Sequence, residues 1–207
     1  MKIKQLYEGR EEILATYEDE RSRLPETKFS SVNAVLSYMY TEALKAKISC
    51  QVMLFDDLTT TIPYQITEDD FTHMLSDLLA NAINASKDAS SAFIQIYLGV
   101  IDGISTIKIY NNGKEFNIDT LQNLGLIRHT THAHTGGSDI GLMDIWSLKE
   151  KYKATLLIDE ITDESSSSYT CINILFNHKN HYIIQSDRHK ELSSYINRPD
   201  VMILAKD

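Results

Sequence analysis

Apolar residues recur along this chain with two different periods. Between Thr67 and Ala85, the residues Leu75, Leu78, Leu79, Ala82 and Ile83 fall at helical spacing, which predicts an amphipathic helix packed on a core. Its start is well marked. Thr67 is a suitable N-cap, Asp70 stands three residues on as in a capping box, and Glu68 and Asp69 suit the positive helix end. Helices are also predicted over 2–23, over 30–47 with Val32, Val35, Leu36, Met39, Ala43 and Leu44 inward, and over 140–152. Elsewhere the period is two. Ile94, Ile96, Leu98 and Val100 share one face of a strand over 92–100, and Asp102-Gly103 is a hairpin turn into a partner strand over 105–110. A strand over 49–56 and a hairpin of 154–161 with 169–176 complete the sheet, and the tail from His181 reads strand, helix, strand. The expected fold is α+β, a two-layer α/β sandwich with helices on one face of a mixed, mostly antiparallel sheet, preceded by an N-terminal helix.

The 67–85 helix carries a second stripe. His73, Asp77, Asn81 and Ala85 are spaced by four, with Asn84 beside them. Asp and Asn are modest helix formers, so a pair of them one turn apart in a helix interior needs a reason. That spacing puts the Asp77 carboxylate and the Asn81 amide on one face, a few ångströms apart, as oxygen donors suited to a hard cation such as Mg²⁺. The bland alternative is a wet helix face that happens to carry both.

Two further stretches have loop chemistry. Asn111-Asn112-Gly113 ends the 105–110 strand as a turn, and residues 127–139, IRHTTHAHTGGSD, are small, polar and aperiodic, of a length that suits a lid or binding loop. The H-x-x-H-x-H spacing of His129, His132 and His134 suggests zinc as an alternative, but no Cys or carboxylate completes a recognisable ligand set.

Composition narrows the classes. A net charge of −9 over 207 residues argues against a general nucleic-acid binder, and means that an anionic ligand must be held by local devices. Cys50 and Cys171 are far apart and lack metal spacing, so reduced core thiols are expected. No apolar run approaches a membrane span and no signal peptide is visible. A cytoplasmic chain is expected, or the cytoplasmic portion of a membrane receptor.

Three features in fixed order, LSDLLANAINAS, IYNNGKEF and HTGGSDIGLMDI, resemble the N box and the two glycine boxes of the GHKL ATPase superfamily, which includes gyrase and the histidine kinases. The chain most resembles the catalytic domain of sensor histidine kinases of the peptide-quorum-sensing type, over roughly residues 28–177. That resemblance implies the Bergerat-type fold and ATP with Mg²⁺ as cofactors. It implies Asn81 as the metal-holding asparagine, with Asp77 as a second metal ligand or the catalytic group that orders or activates water. Asn111 stands where the family usually has the aspartate that accepts from the adenine amino group, and Gly113 would let the chain turn under the base. Asn84, Arg128, His134, Gly136, Gly137, Gly141 and Leu142 fall at the remaining nucleotide-contacting places, the glycines and the following helix end facing phosphate. The departures are Asn111 itself, Glu115 for the second glycine of its box, Asp139 for a glycine, and the absence of the usual lysine.

The implied partners are a histidine-bearing dimerisation segment and a response regulator, with a homodimer in the full-length protein. No histidine precedes His73, so the phosphoacceptor is expected on another segment. The expected division is 1–27 as the remnant of a dimerisation hairpin or a linker, 28–177 as the ATP-binding domain, and 178–207 as an appendage. Two other readings compete with phosphotransfer: a degenerate, non-catalytic dimeric module of the same fold, and an ATPase using Asp77 as general base.

Overall fold

The computed structural model describes residues 24–126, 139–162 and 168–206, which hold five helices and seven strands. In chain order they are α1 (Ser30–Lys45), β1 (Ser49–Leu54), α2 (Glu68–Ser86), β2 (Phe93–Ile101), β3 (Ile104–Asn111), α3 (Ile118–Asn123), α4 (Asp139–Tyr152), β4 (Thr155–Thr162), β5 (Ser168–Leu175), β6 (Tyr182–Ser186), α5 (His189–Tyr195) and β7 (Val201–Ala205). The expected 2–23 helix, and Arg128, His129, His132, His134, Gly136 and Gly137 of the expected loop, lie outside the described residues.

All seven strands join one sheet in the order β1-β2-β3-β5-β4-β6-β7. The run β2-β3-β5-β4 is antiparallel, whereas β1 pairs with β2 in parallel and β6 and β7 extend the far edge in parallel. The tail therefore enlarges the sheet. At the hairpin between β2 and β3, Asp102 and Gly103 both have positive φ (51° and 78°), the backbone a tight two-residue turn requires.

Alternation divides the sheet into two faces. Ile94, Ile96, Leu98, Ile107, Ile109, Leu156, Ile158, Ile172 and Ile174 are buried beneath the helices and form one core with Phe71, Met74, Leu75, Leu78 and Leu79 of α2 and Val32 and Leu36 of α1. The opposite face carries polar and aromatic pairs instead. Tyr97 meets Tyr110 edge-on at 5.7 Å between ring centroids, and the Lys108 ammonium lies 4.8 Å from the Tyr110 ring centre.

The start of α2 departs from the expected capping box in one respect. Thr67 Oγ1 accepts from the Asp70 backbone N–H at 3.3 Å as expected. The Asp70 carboxylate does not return to Thr67: it accepts from Lys151 at 2.5 Å and from the Tyr152 hydroxyl, both at the end of α4. A charge-assisted partner outcompetes a neutral backbone N–H, and it fastens α2 to α4. Lys151 accordingly holds the Asp70 carboxyl below its ordinary value.

Two tail arginines fasten the appendage to the middle of the chain. Arg188 donates to Glu160 Oε2 at 2.9 Å and Oε1 at 2.7 Å, and to the Phe116 carbonyl at 2.6 Å. Arg198 donates to the Gln122 and Leu124 carbonyls at the C-terminal end of α3 and lies over the Trp146 ring at 5.5 Å. Gly125 (φ +81°) sits so close to that indole that a Cβ would stand 2.1 Å from it. Only glycine fits there.

Candidate functional site

Helices α2 and α4 meet at the polar stripe. Asp77 and Asn81 sit one turn apart on α2, and the backbone of Gly141, at the start of α4, passes over both. A Cβ on Gly141 would lie 3.5 Å from Asn81 Nδ2, 3.6 Å from Asn81 Oδ1 and 3.7 Å from Asp77 Cβ. That is ordinary contact distance, so the missing side chain leaves a space over the two polar groups rather than relieving a clash.

From Asn81 a cavity of about 460 Å³ runs along the helix toward β3 and β5, lined by Asn81, Asn84, Asn111, Phe116, Leu142 and Thr170 among others. Behind it, Gly113 holds the end of β3 against α2. A Cβ there would stand 2.4 Å from the Ala85 carbonyl carbon, and the Lys114 N–H donates to the Ala85 carbonyl at 3.2 Å. Gly113 has no positive φ among the backbone outliers, so its part is close approach to α2 rather than the special turn expected of it. Asn81 and Ala85, the two ends of the cavity's lining on α2, are four residues apart, about 6 Å along a helix.

Among the described residues, three side chains of the cavity wall carry a buried polar atom with no hydrogen-bond partner, Asn81 Nδ2, Asn111 Nδ2 and Thr170 Oγ1, and Asp77 Oδ2, one turn before Asn81, is a fourth such atom beside it. Each such atom costs free energy unless a ligand completes it. Asn111 and Thr170, 4 % and 2 % exposed, are register partners on β3 and β5. The neighbouring Asn112 has the structural work: it accepts from the Phe93 N–H at 2.8 Å and donates to the Ser91 carbonyl at 3.1 Å.

Burial pushes the Asp77 carboxyl above its ordinary value; His73 pulls it back and Asp144 pushes it further. One ligating atom each from His73, Asp77 and Asp144 lies within 4.8 Å of the others, and His73 Nε2 is 3.7 Å from Asp77 Oδ2. A divalent ion at Asp77 therefore has two possible sets of neighbours, the Asn81 amide on one side or His73 and Asp144 on the other. The all-oxygen set of Asp77 and Asn81 suits Mg²⁺; an imidazole with two carboxylates suits a softer ion.

Of the expected site residues, Asn81, Asn84, Asn111 and Leu142 line this cavity, Asp77 and Gly141 lie beside Asn81 without lining it, and Gly113 packs on Ala85 behind it. Asn84 is exposed at the rim and accepts from Lys87 at 2.7 Å. Sequence reading missed Thr170, whose place is set by strand pairing, and Asp144, whose place is set by the packing of α4. It also missed the support beneath Phe116: Glu160 accepts from the Phe116 N–H at 3.3 Å, and Arg188 holds its carbonyl. Glu115, standing where a glycine was expected, lines the cavity and lies 3.8 Å from Arg188.

No protein-family model matches the chain, and no curated protein matches it. Similar solved structures include a mycobacterial sensor histidine kinase, MprB (15 % identity, 70 % of this chain and 92 % of that one, TM-score 0.47). Another is the Acinetobacter baumannii histidine kinase AdeS (19 % identity, 79 % of this chain and 74 % of that one, TM-score 0.49). A third is the catalytic domain of the histidine kinase ThkA (14 % identity, 70 % of this chain and 91 % of that one, TM-score 0.48). Likeness this distant carries nothing about ligand or reaction. No described helix is long and apolar enough to cross a membrane.

Proposed function

We propose that this chain is the ATP-binding catalytic module of a sensor histidine kinase, binding ATP with Mg²⁺ along α2 and passing the γ-phosphoryl group to a histidine on another segment. One observation carries the reading: among the described residues, Asn81, Asn111 and Thr170 each turn a buried, unpartnered polar atom to one cavity, and Asp77, one turn before Asn81, has another. These residues fit the ligand. Asn81 Oδ1 is a neutral metal ligand that does not repel phosphate, Nδ2 of the same amide is a donor for a phosphate oxygen, and Asp77 supplies the charge. Mg²⁺, when bound, supplies charge neutralisation on the phosphates. The uncovered backbone at Gly141 would leave room for the phosphates, and Leu142, Ile172, Asn111 and Thr170 would hold the base, the first two by apolar contact and the last two by hydrogen bonds.

Partners belong to the same proposal: a histidine-bearing dimerisation segment, a response regulator that receives the phosphoryl group, and a homodimer in the full-length protein. The peptide-quorum-sensing subtype and the cytoplasmic location rest on the sequence boxes and on the absence of a membrane-length apolar run. Residues 28–177 remain the proposed ATP-binding domain.

A second reading, a binding module without turnover, is favoured by Glu115, which puts a carboxylate into the cavity wall where the boxes call for glycine. The ATPase reading draws on the desolvated, raised carboxyl of Asp77, a better proton acceptor than an exposed aspartate.

Thermal unfolding with a non-hydrolysable ATP analogue and Mg²⁺ tests the binding step. Ligand at a hundred times Kd stabilises by about 2.7 kcal/mol, a rise of about 5–10 °C for a chain of this size. Asn81→Ala should abolish the rise and leave the unliganded melt intact. No rise at millimolar nucleotide overturns the proposal. Labelled phosphate appearing on a histidine-bearing hairpin added in trans separates the kinase from the ATPase.

A further inference from the structure

The far end of the cavity is built from two neutral groups. Asn111 closes β3, Thr170 faces it across the β3–β5 ladder, both are almost fully buried, and both line the cavity. Among the described residues, the atoms left without partners there are an amide N–H₂ and a hydroxyl. A carboxylate at position 111 would only accept hydrogen bonds; a carboxamide accepts through one atom and donates through the other, and a threonine hydroxyl rotates to do either. A 6-amino purine shows this edge a donor at N6 and an acceptor at N1. A 6-keto purine shows the reverse, an acceptor at O6 and a donor at N1. The buried Asn111 Nδ2 is therefore matched by O6, and the amide turned end for end is matched by N6. Leu142, Ile172, Phe116 and Ala82 supply an apolar slot for either ring and distinguish neither.

We propose that this site accepts 6-keto purine nucleoside triphosphates, guanosine and inosine triphosphate, alongside the adenine nucleotide, and that Asn111 is the residue responsible. The inference rests on the cavity being the nucleoside triphosphate site proposed above. It goes further in assigning the base specificity.

Calorimetric titration of the whole chain in Mg²⁺, with the imido analogues of ATP, GTP and ITP, tests it. The inosine nucleotide isolates the C6 substituent, since it lacks the 2-amino group of guanine. In the unmodified chain the adenine and keto analogues should bind within about fivefold of one another; in Asn111→Asp the adenine analogue should lead by about tenfold or more, because the carboxylate faces O6 with no proton to offer. An adenine preference of about tenfold or more in the unmodified chain overturns the inference and leaves the ATP reading standing, and this measurement needs no variant to fold. An unchanged ratio in Asn111→Asp overturns the assignment to Asn111. Binding of none of the three removes both proposals together.

Discussion

Replacing Arg188 by methionine should show how the tail appendage supports the cavity. The Glu160 carboxylate is 4 % exposed and receives two of its hydrogen bonds from Arg188, at 2.7 and 2.9 Å. Its remaining donors are the Ser186 hydroxyl at 3.0 Å and the Phe116 N–H at 3.3 Å. Removing one partner of a buried ion pair costs about 3–5 kcal/mol, because the other charge stays behind. The two neutral donors that remain put the expected loss near the lower end, about 3 kcal/mol, or about 6–12 °C in melting temperature. Urea unfolding followed by the fluorescence of Trp146, the sole tryptophan, gives the number directly. If the cost is the stranded charge, Arg188→Met combined with Glu160→Gln should recover most of it, leaving a deficit of about 1 kcal/mol. A loss below about 1 kcal/mol in the single variant, or a double variant no better than the single one, would refute this reasoning. Arg188 also holds the Phe116 carbonyl, so nucleotide affinity should weaken together with stability.

Other substitutions probe the helix α2 interface. Because burial raises the Asp77 carboxyl above its ordinary value, the native chain holds the extra proton, and its stability should fall as pH rises from the unfolded-state value through the raised native one. Asp77→Asn should remove that decline and raise the unliganded stability at pH 7 by about 1 kcal/mol, while a pH–stability curve identical to the parent's would show that the carboxylate is not strained. At Gly113 an added methyl meets the Ala85 backbone at 2.4 Å, so Gly113→Ala should cost about 1–3 kcal/mol, or about 2–12 °C in melting temperature. A melt within a degree of the parent's would mean that the β3 turn and α2 separate easily.

What could be read along the chain was whatever local spacing determines. Helix α2 announced itself twice, through its apolar stripe and through Thr67, and the same spacing brought Asp77 and Asn81 together. Asp102-Gly103 fixed a hairpin for the same reason, since two residues settle a turn. The partners of these groups were not legible, because they come from elsewhere in the sequence. Asp70 bonds residues 81 and 82 positions away, so its expected reciprocal cap gave way to Lys151 and Tyr152. Thr170 reaches Asn111 through a strand register that no local pattern specifies. Arg188 reaches Phe116 across 72 positions, which is why the tail, plain in its secondary structure, gave no hint of its part beneath the cavity. Gly113 was legible as a necessary glycine, but whether for conformation or for closeness depended on Ala85.

The most direct test is to locate the divalent ion itself. Crystals grown with Mn²⁺ and the imido analogue of ATP, measured at the manganese absorption edge, should show one anomalous peak about 2.2 Å from Asn81 Oδ1, bridging to phosphate oxygens and dependent on the nucleotide. A peak held by His73 and Asp144 away from Asn81, or one present without nucleotide and unchanged by it, would contradict the assignment of α2 as the metal–phosphate grip.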